Sequence, residues 1–224
     1  MDERLLGILV DSFPKILLPG LMVTIPLTVL AFSLAMVIAV AAALVQFARV
    51  PVLTQLCRFY IWVFRGTPLL VQLFVVFFGM PRIGITIEPF PAAVIVFSLN
   101  EGAYCAEIVR AALESVPAGQ LEAGYCAGMS YLQTMRRIIL PQAMRTAFPS
   151  LSNSLIAMVK DTSLAANITV VEMLRATEQI NARVYEPLAL YIEVGLIYLL
   201  FSTVLTWLQR VGENRLSAYE NRGV

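Results

Sequence analysis

One apolar run constrains this chain more than any other feature. Residues 21–45, LMVTIPLTVLAFSLAMVIAVAAALV, contain no charged side chain. An α-helix of about 20 apolar residues crosses the hydrocarbon core of a bilayer. The whole chain is 59% apolar and only 14% charged, with a mean hydropathy of +0.79, whereas soluble domains carry about 25% charged residues. The sequence therefore predicts an integral membrane protein.

Four further segments complete the predicted spans. Residues 56–79 form a second candidate, which Gly66-Thr67-Pro68 should kink or unwind. The other candidates are residues 91–113, 147–169 and 187–209. The pattern predicts an all-α membrane protein with about five transmembrane helices. Because no fixed-period repeat or linker interrupts residues 1–224, we expect a single transmembrane domain.

The remaining composition argues against several functions. A net charge of +1 offers no global field for nucleic acid. The chain has no histidine, and its three cysteines have no CxxC spacing, so neither a metal site nor a disulfide framework is expected. The start, MDERLLGILVDSFPK, lacks the basic region and cleavage site of a signal peptide, and we expect it to be retained.

The distribution of basic residues predicts the orientation. With the N-terminus outside, the inner segments hold eight arginines and the outer segments hold five basic residues. The inner set is Arg49, Arg110, Arg136, Arg137, Arg145, Arg210, Arg215 and Arg222, and the outer set is Arg4, Lys15, Arg82, Arg175 and Arg183. Basic loops favour the cytoplasmic side, so the 114–146 connection and the C-terminus are predicted to be cytoplasmic.

Residues 122–141, EAGYCAGMSYLQTMRRIILP, are an amphipathic and basic exception to the apolar chain. Taken as one helix, the stretch has an apolar stripe at helical spacing, with polar residues mostly elsewhere. The stripe comprises Leu121, Tyr125, Leu132, Met135 and Ile139, and the polar residues are Glu122, Gln133, Arg136 and Arg137. Periodicity leaves open a helix on the anionic inner leaflet and a docking element for a cytosolic protein. Gly124 and Gly128 also permit a Gly-xxx-Gly dimer, which the flanking charge disfavours.

This stretch resembles the EAA loop of the membrane-spanning subunits of ABC importers. That pattern is Glu-Ala-Ala, three residues, Gly, nine residues, then Ile-x-Leu-Pro, and six positions match at the required spacing: Glu122, Ala123, Gly128, Ile138, Leu140 and Pro141. Gly124 departs from it, where alanine is preferred. Three more stretches, FRGTPLLVQLF (64–74), SLNEGAYCAEIVR (98–110) and VKDTSLA (159–165), resemble the polar amino acid branch of the family.

The resemblance implies a type I ABC importer permease in a bacterial inner membrane. Its expected partners are a second permease subunit, identical or homologous, a dimer of ATP-binding subunits and an extracytoplasmic solute-binding protein. The loop at about 117–141 would be the cytoplasmic coupling helix, with Gly124 among its contacts. The chain has no G-x-x-x-x-G-K-[ST] run to cradle phosphates, so ATP and Mg²⁺ would bind the partner ATPase, and the chain itself would not be an enzyme.

Ionisable residues inside the predicted spans suggest where a substrate binds, because buried charges there cost about 2.5–3.5 kcal/mol each and are usually partnered. An amino acid zwitterion needs a cationic or helix-terminal partner for its carboxylate and an acidic partner for its ammonium. The hypothesis assigns Arg65, Thr67, Lys160, Thr162 and Ser163 to the carboxylate side, and Asn100, Glu101 and Asp161 to the ammonium side, with Tyr104 on the same polar stripe. Glu101 favours a cationic amino acid. An internal network that only holds the helices together is the alternative for Arg65, Glu107 and Lys160.

Two other classes of membrane protein compete with this interpretation. An ion-coupled secondary amino acid transporter would also place charges at mid-depth, but such folds commonly have internal repeats and more spans. A membrane-embedded enzyme would need a nucleophile and a base, and the chain has no histidine from which to assemble them.

Overall fold

The structure is a computed structural model that describes residues 3–217; Arg222 of the inner basic set lies outside them. The α-helices of this part of the chain are α1 (Glu3–Pro19), α2 (Ile25–Phe47), α3 (Pro51–Gly66), α4 (Leu69–Phe74), α5 (Pro89–Ser115), α6 (Ala118–Cys126), α7 (Tyr131–Thr134), α8 (Leu140–Asp161), α9 (Met173–Val184) and α10 (Pro187–Ser217). Segments of π-helix lie at Gly20–Thr24, Val75–Gly79 and Met135–Ile139, and 3₁₀ turns lie at Met80–Ile83 and Thr162–Ile168. The described residues contain no strand, as the sequence predicts.

Three of the five predicted spans correspond to single helical stretches, and the other two correspond to bent helix pairs. Within residues 3–217, three helical stretches are long and apolar enough to cross a membrane unaided: the 45-residue stretch Glu3–Phe47, α5 and α10. Two bent pairs complete the five, one joining α3 to Leu69–Ile83 and one joining Tyr131–Ile168 to α9. Residues 3–20 and α9 lie outside the spans predicted from the sequence.

The second span breaks where the sequence predicts, with an angle of 103° between its halves. Thr67 precedes Pro68, which disfavours a helical conformation at Thr67, and this residue is extended at φ −124° and ψ 145°. Pro68 supplies no N–H, so the α3 hydrogen-bond ladder cannot continue through it. The α3 helix therefore ends at Gly66, and α4 begins in a new direction at Leu69.

Small side chains bring α2 and α5 together at the centre of the fold. Ala31, Ala35 and Ala39 lie four residues apart on one face of α2 and are fully buried. Opposite them, a Cβ at Gly102 of α5 would lie 3.1 Å from the Ile38 Cγ2 atom and 2.9 Å from the Tyr60 hydroxyl. Lipid tails provide no hydrophobic force between helices, so close backbone approach and dispersion contacts stabilise such pairs. The α2–α5 pair is the scaffold on which the other helices are placed.

The first and last helices pack on α9 at one side of the molecule. Ile16, Met173, Val194 and Ile197 form a buried cluster there. The Ser12 hydroxyl donates a 2.5 Å hydrogen bond to the Glu193 carboxylate and joins α1 to α10. This group of helices lies apart from the α3–α4 break.

Candidate functional site

A polar cavity of about 890 Å³ lies between the α3–α4 break, α5 and α8. Its polar and charged lining residues are Arg65, Thr67, Asn100, Glu101, Tyr104, Glu107, Arg110, Thr146, Ser150, Ser154 and Asp161. A volume in the range of 300–1,000 Å³ is typical of small-molecule sites. The cavity is therefore large enough for an amino acid.

Charges of opposite sign face this cavity from different helices. The Arg65 guanidinium lies over the Tyr104 ring, 5.1 Å from its centroid, in a cation–π contact. On α5, the Glu101 carboxylate accepts a 3.3 Å contact from the Cys105 thiol and has Ser154 of α8 as a further neighbour. Asp161 at the end of α8 lines the same cavity as Glu101. Besides Glu107 and Arg110, which pair with each other, the cavity thus offers one cation and two carboxylates to a ligand.

Six of the nine residues predicted for substrate binding line this one cavity: Arg65, Thr67, Asn100, Glu101, Tyr104 and Asp161. The other three are not among its lining residues. Lys160 is exposed and Ser163 is half-buried. Thr162 is fully buried, and its hydroxyl donates a 2.6 Å hydrogen bond to the Val159 carbonyl. The α8 helix ends at Asp161 and is followed by a 3₁₀ turn at Thr162–Ile168.

A network of ion pairs lies at one end of the cavity and was not predicted from the sequence. Arg110 pairs with Glu107 at 2.9 Å and with Glu114 at 2.7 Å, at the three- and four-residue spacings that face each other on a helix. Arg65, Glu107 and Arg110 also line a second polar cavity of about 720 Å³. The three-residue spacing of Glu107 and Arg110 would have been enough to predict their ion pair, but the position of this pair between two cavities could not be predicted from the sequence.

The predicted single helix of the EAA-like stretch is wrong, because the chain reverses inside it. Helix α6 ends at Cys126, and the Met129 N–H donates to the Gly124 carbonyl at 3.0 Å, while the Gly128 N–H donates to the Tyr125 carbonyl at 2.9 Å. This is a Schellman motif, which needs a left-handed residue, and Gly128 has φ +74°. We call α6, the turn at residues 127–130 and α7 the α6–α7 hairpin.

The second arm of the hairpin begins with a capping box at Ser130. The Ser130 hydroxyl accepts from the Gln133 N–H, and the Gln133 side chain accepts from the Ser130 N–H at 2.9 Å. The predicted apolar stripe is therefore split between two helices. Met135 and Ile139 are buried, whereas Leu132 is 75% exposed and Tyr125 is 49% exposed.

The residues predicted for coupling lie along this hairpin and the helix that follows it. Glu122, Ala123, Gly128 and Pro141 are exposed, and Ile138 and Leu140 are half-buried. Gly124 alone is buried, and a Cβ there would lie 2.4 Å from the Thr134 Cγ2 atom and 2.6 Å from its hydroxyl. The departure from the Glu-Ala-Ala pattern thus has a physical reason, because Thr134 fills the space that an alanine methyl would occupy.

A multi-pass bundle around a polar cavity, with an exposed helical hairpin, defines a class of protein: membrane transporters. The chain belongs to the family described as binding-protein-dependent transport system inner membrane component, whose model matches residues 35–218. It is an amino-acid ABC transporter permease subunit of the cell membrane, and its relatives are transport proteins rather than enzymes.

Similar proteins include two L-cystine transport system permeases of Bacillus subtilis. TcyB is 47% identical over 93% of this chain and 90% of its own length, and TcyL is 38% identical over 96% and 92%. Among solved structures, the crystal structure of an amino acid ABC transporter with histidines has a TM-score of 0.87 and 32% identity, covering 96% of this chain and 100% of that one. The methionine transporter MetNI, at 17% identity and a TM-score of 0.74, shares the fold.

Proposed function

We propose that this chain is the permease subunit of an ATP-driven importer that moves a polar amino acid into the cytoplasm by alternating access. One observation carries the proposal: Arg65, Glu101 and Asp161 face one cavity from three different helices. Such charges cost free energy in a membrane unless they meet partners, and a zwitterion supplies both signs. In this proposal Arg65 binds the substrate carboxylate, and Glu101 and Asp161 bind cationic groups.

Apart from the Arg110–Glu107 ion pair, the cavity has two carboxylates and one cation, and this favours a substrate with two cationic groups. Arginine carries an ammonium, a guanidinium and one carboxylate, and cystine carries two ammonium and two carboxylate groups. The names of relatives agree with this chemistry, since two are L-cystine permeases and one, ArtQ of Bacillus subtilis at 33% identity, is an arginine permease. The two cationic groups of such a substrate would pair with Glu101 and Asp161. We therefore propose arginine-like or cystine-like amino acids as the substrate class.

The α6–α7 hairpin is proposed to couple transport to ATP hydrolysis in a separate subunit. Its exposed Tyr125 and Leu132, beside Glu122 and the basic Arg136 and Arg137, suit a groove of mixed polarity on another protein. The excess of basic residues on this side favours a cytoplasmic hairpin and an external N-terminus. The proposed assembly contains this chain, a second permease subunit, two ATP-binding subunits and an extracytoplasmic binding protein.

Reconstituted uptake tests the proposal directly. The chain is assembled with its ATP-binding and binding-protein subunits in proteoliposomes, and uptake of labelled L-arginine and L-cystine is measured with and without ATP. We expect ATP-dependent uptake of at least one of them, reduced about tenfold in Glu101→Gln, the loss of about 1.4 kcal/mol of interaction. Glu88→Gln, which removes an exposed carboxylate outside the cavity, is the control.

Two results would contradict the proposal. Uptake by the chain alone, indifferent to ATP, would favour an ion-coupled secondary transporter. Full uptake of both substrates by Glu101→Gln would contradict the proposal that the substrate has two cationic groups.

A further inference from the structure

We propose that Gln72 and Asn100 are positioning residues that fix Arg65 at the cavity through an amide clamp, defined as these two side chains and the Phe64 carbonyl. The inference rests on the proposed function, because it needs Arg65 to bind the substrate. The sequence did not predict a contact between the two amides, and it predicted Asn100 only as a substrate-binding residue.

The Phe64 carbonyl loses its helical partner because of Pro68. In an α-helix this carbonyl would accept from the N–H of the residue four positions later, and residue 68 is a proline without an N–H. A carbonyl left unpaired in a membrane interior costs free energy. The sequence of the break therefore creates a vacancy that another donor must fill.

Two side-chain amides fill that vacancy together. The Gln72 Nε2 group donates to the Phe64 carbonyl at 2.9 Å, and the Asn100 Nδ2 group donates to the same carbonyl at 3.2 Å. Asn100 Nδ2 also donates to the Gln72 Oε1 atom at 3.0 Å, so the two amides hold each other. Gln72 Nε2 further contacts the Thr67 hydroxyl at 2.8 Å and the Thr67 carbonyl at 3.1 Å. The clamp ties both sides of the break to α5.

The clamp determines the position of Arg65 because Phe64 is its neighbour in the chain. Asn100 lies one turn before Tyr104 on α5, and Tyr104 is the ring under the Arg65 guanidinium. Holding the Phe64 carbonyl at Asn100 therefore sets Arg65 opposite Tyr104 and on the same cavity as Glu101. Both hydrogens of the Asn100 amide are committed to the clamp, which assigns Asn100 to positioning Arg65.

The test is a double-mutant cycle on substrate binding. Labelled L-arginine and L-cystine are titrated separately onto the assembled transporter, without binding protein, for wild type, Gln72→Met, Arg65→Ala and the double variant. Gln72→Met keeps the side-chain length but removes both donors. We expect Gln72→Met to weaken binding at least fivefold in the wild-type background and less than twofold in the Arg65→Ala background, because the clamp acts through Arg65.

A merely structural role would give a different pattern. Gln72→Met combined with Glu101→Gln should show nearly multiplicative losses, since Glu101 is not held by the clamp. The control is Gln179→Met, an exposed glutamine on α9 outside the cavity lining, which should bind as wild type. If Gln72→Met does not assemble, Asn100→Ala, which leaves the Gln72 donors in place, takes its place in the same cycle.

Each remaining outcome separates this inference from the proposed function. The clamp is refuted, and the transport role stands, if Arg65→Ala weakens substrate binding and the clamp variants do not. The same conclusion holds if the fold-losses in affinity of Gln72→Met and Arg65→Ala multiply in the double variant. Failure of both clamp variants to assemble, with Gln179→Met intact, would also overturn the inference, because the amides would then hold the fold. If Arg65→Ala and Glu101→Gln bind both amino acids as wild type does, the proposed substrate site itself fails.

Discussion

Replacing Gly124 with alanine should loosen the α6–α7 hairpin, although alanine is the residue that the Glu-Ala-Ala pattern prefers. The added Cβ would lie 2.4 Å from the Thr134 Cγ2 atom and 2.6 Å from its hydroxyl, closer than any ordinary contact. Thr134 is fully buried, and its hydroxyl donates to the Ser130 carbonyl at 3.1 Å, so it cannot move without losing that bond.

The magnitude follows from two opposing contributions. Overpacking of a buried site costs about 1–3 kcal/mol. Alanine is more favourable than glycine inside a helix by about 0.5–1 kcal/mol. The net destabilisation is on the order of 1 kcal/mol, which corresponds to about a fivefold increase in the open population of the hairpin.

Hydrogen exchange on the assembled transporter measures this opening. Amides of residues 118–134 should exchange about fivefold faster in Gly124→Ala than in wild type, without a matching change in α10. In a Thr134→Ala background, which removes both close atoms and leaves the nearest contact at 3.1 Å, the same substitution should be neutral or protective. Thr134 would not be the residue that excludes alanine if Gly124→Ala accelerated hydrogen exchange equally in the wild-type and Thr134→Ala backgrounds. No acceleration of exchange in the wild-type background would refute the assignment as well.

Two further substitutions test the backbone and the packing separately. Gly128 has φ +74°, and no atom lies within 4 Å of the Cβ position, so the cost of a side chain there comes from the backbone. Gly128→Asn should retain most ATP-coupled uptake, and Gly128→Val should lose several-fold more. Equal losses of uptake would mean that side-chain bulk on the α6–α7 hairpin is the cause. Gly102→Ala should lower the melting temperature by about 2–4 °C for each kcal/mol of overpacking against Ile38 and Tyr60. Gly195→Ala is the control and should not lower it, because no atom lies within 4 Å of the added Cβ. Equal melting temperatures of the two variants would exclude the α2–α5 contact as the cause.

Local chemistry carried much of the prediction. The Gly66-Thr67-Pro68 break followed from pre-proline sterics and the missing N–H, which depend on no distant residue. The hairpin was equally local, because Gly128 followed by Ser130-x-x-Gln133 is a helix stop and a start signal. The hairpin was nevertheless not predicted, because its apolar residues keep helical spacing on both sides of the turn, and periodicity alone cannot detect such a reversal.

The membrane class, the five apolar spans and the position of the break were determined by the sequence alone, since each depends on hydrophobicity or on backbone sterics within a short segment. Only the tertiary structure decided which polar residues share a cavity. Lys160 and Asp161 are neighbours in the chain, yet one is exposed and the other lines the cavity, because adjacent helical residues point in different directions. One of the two donors to the Phe64 carbonyl is Asn100, 36 residues away, because the packing of α3 against α5 brings them together.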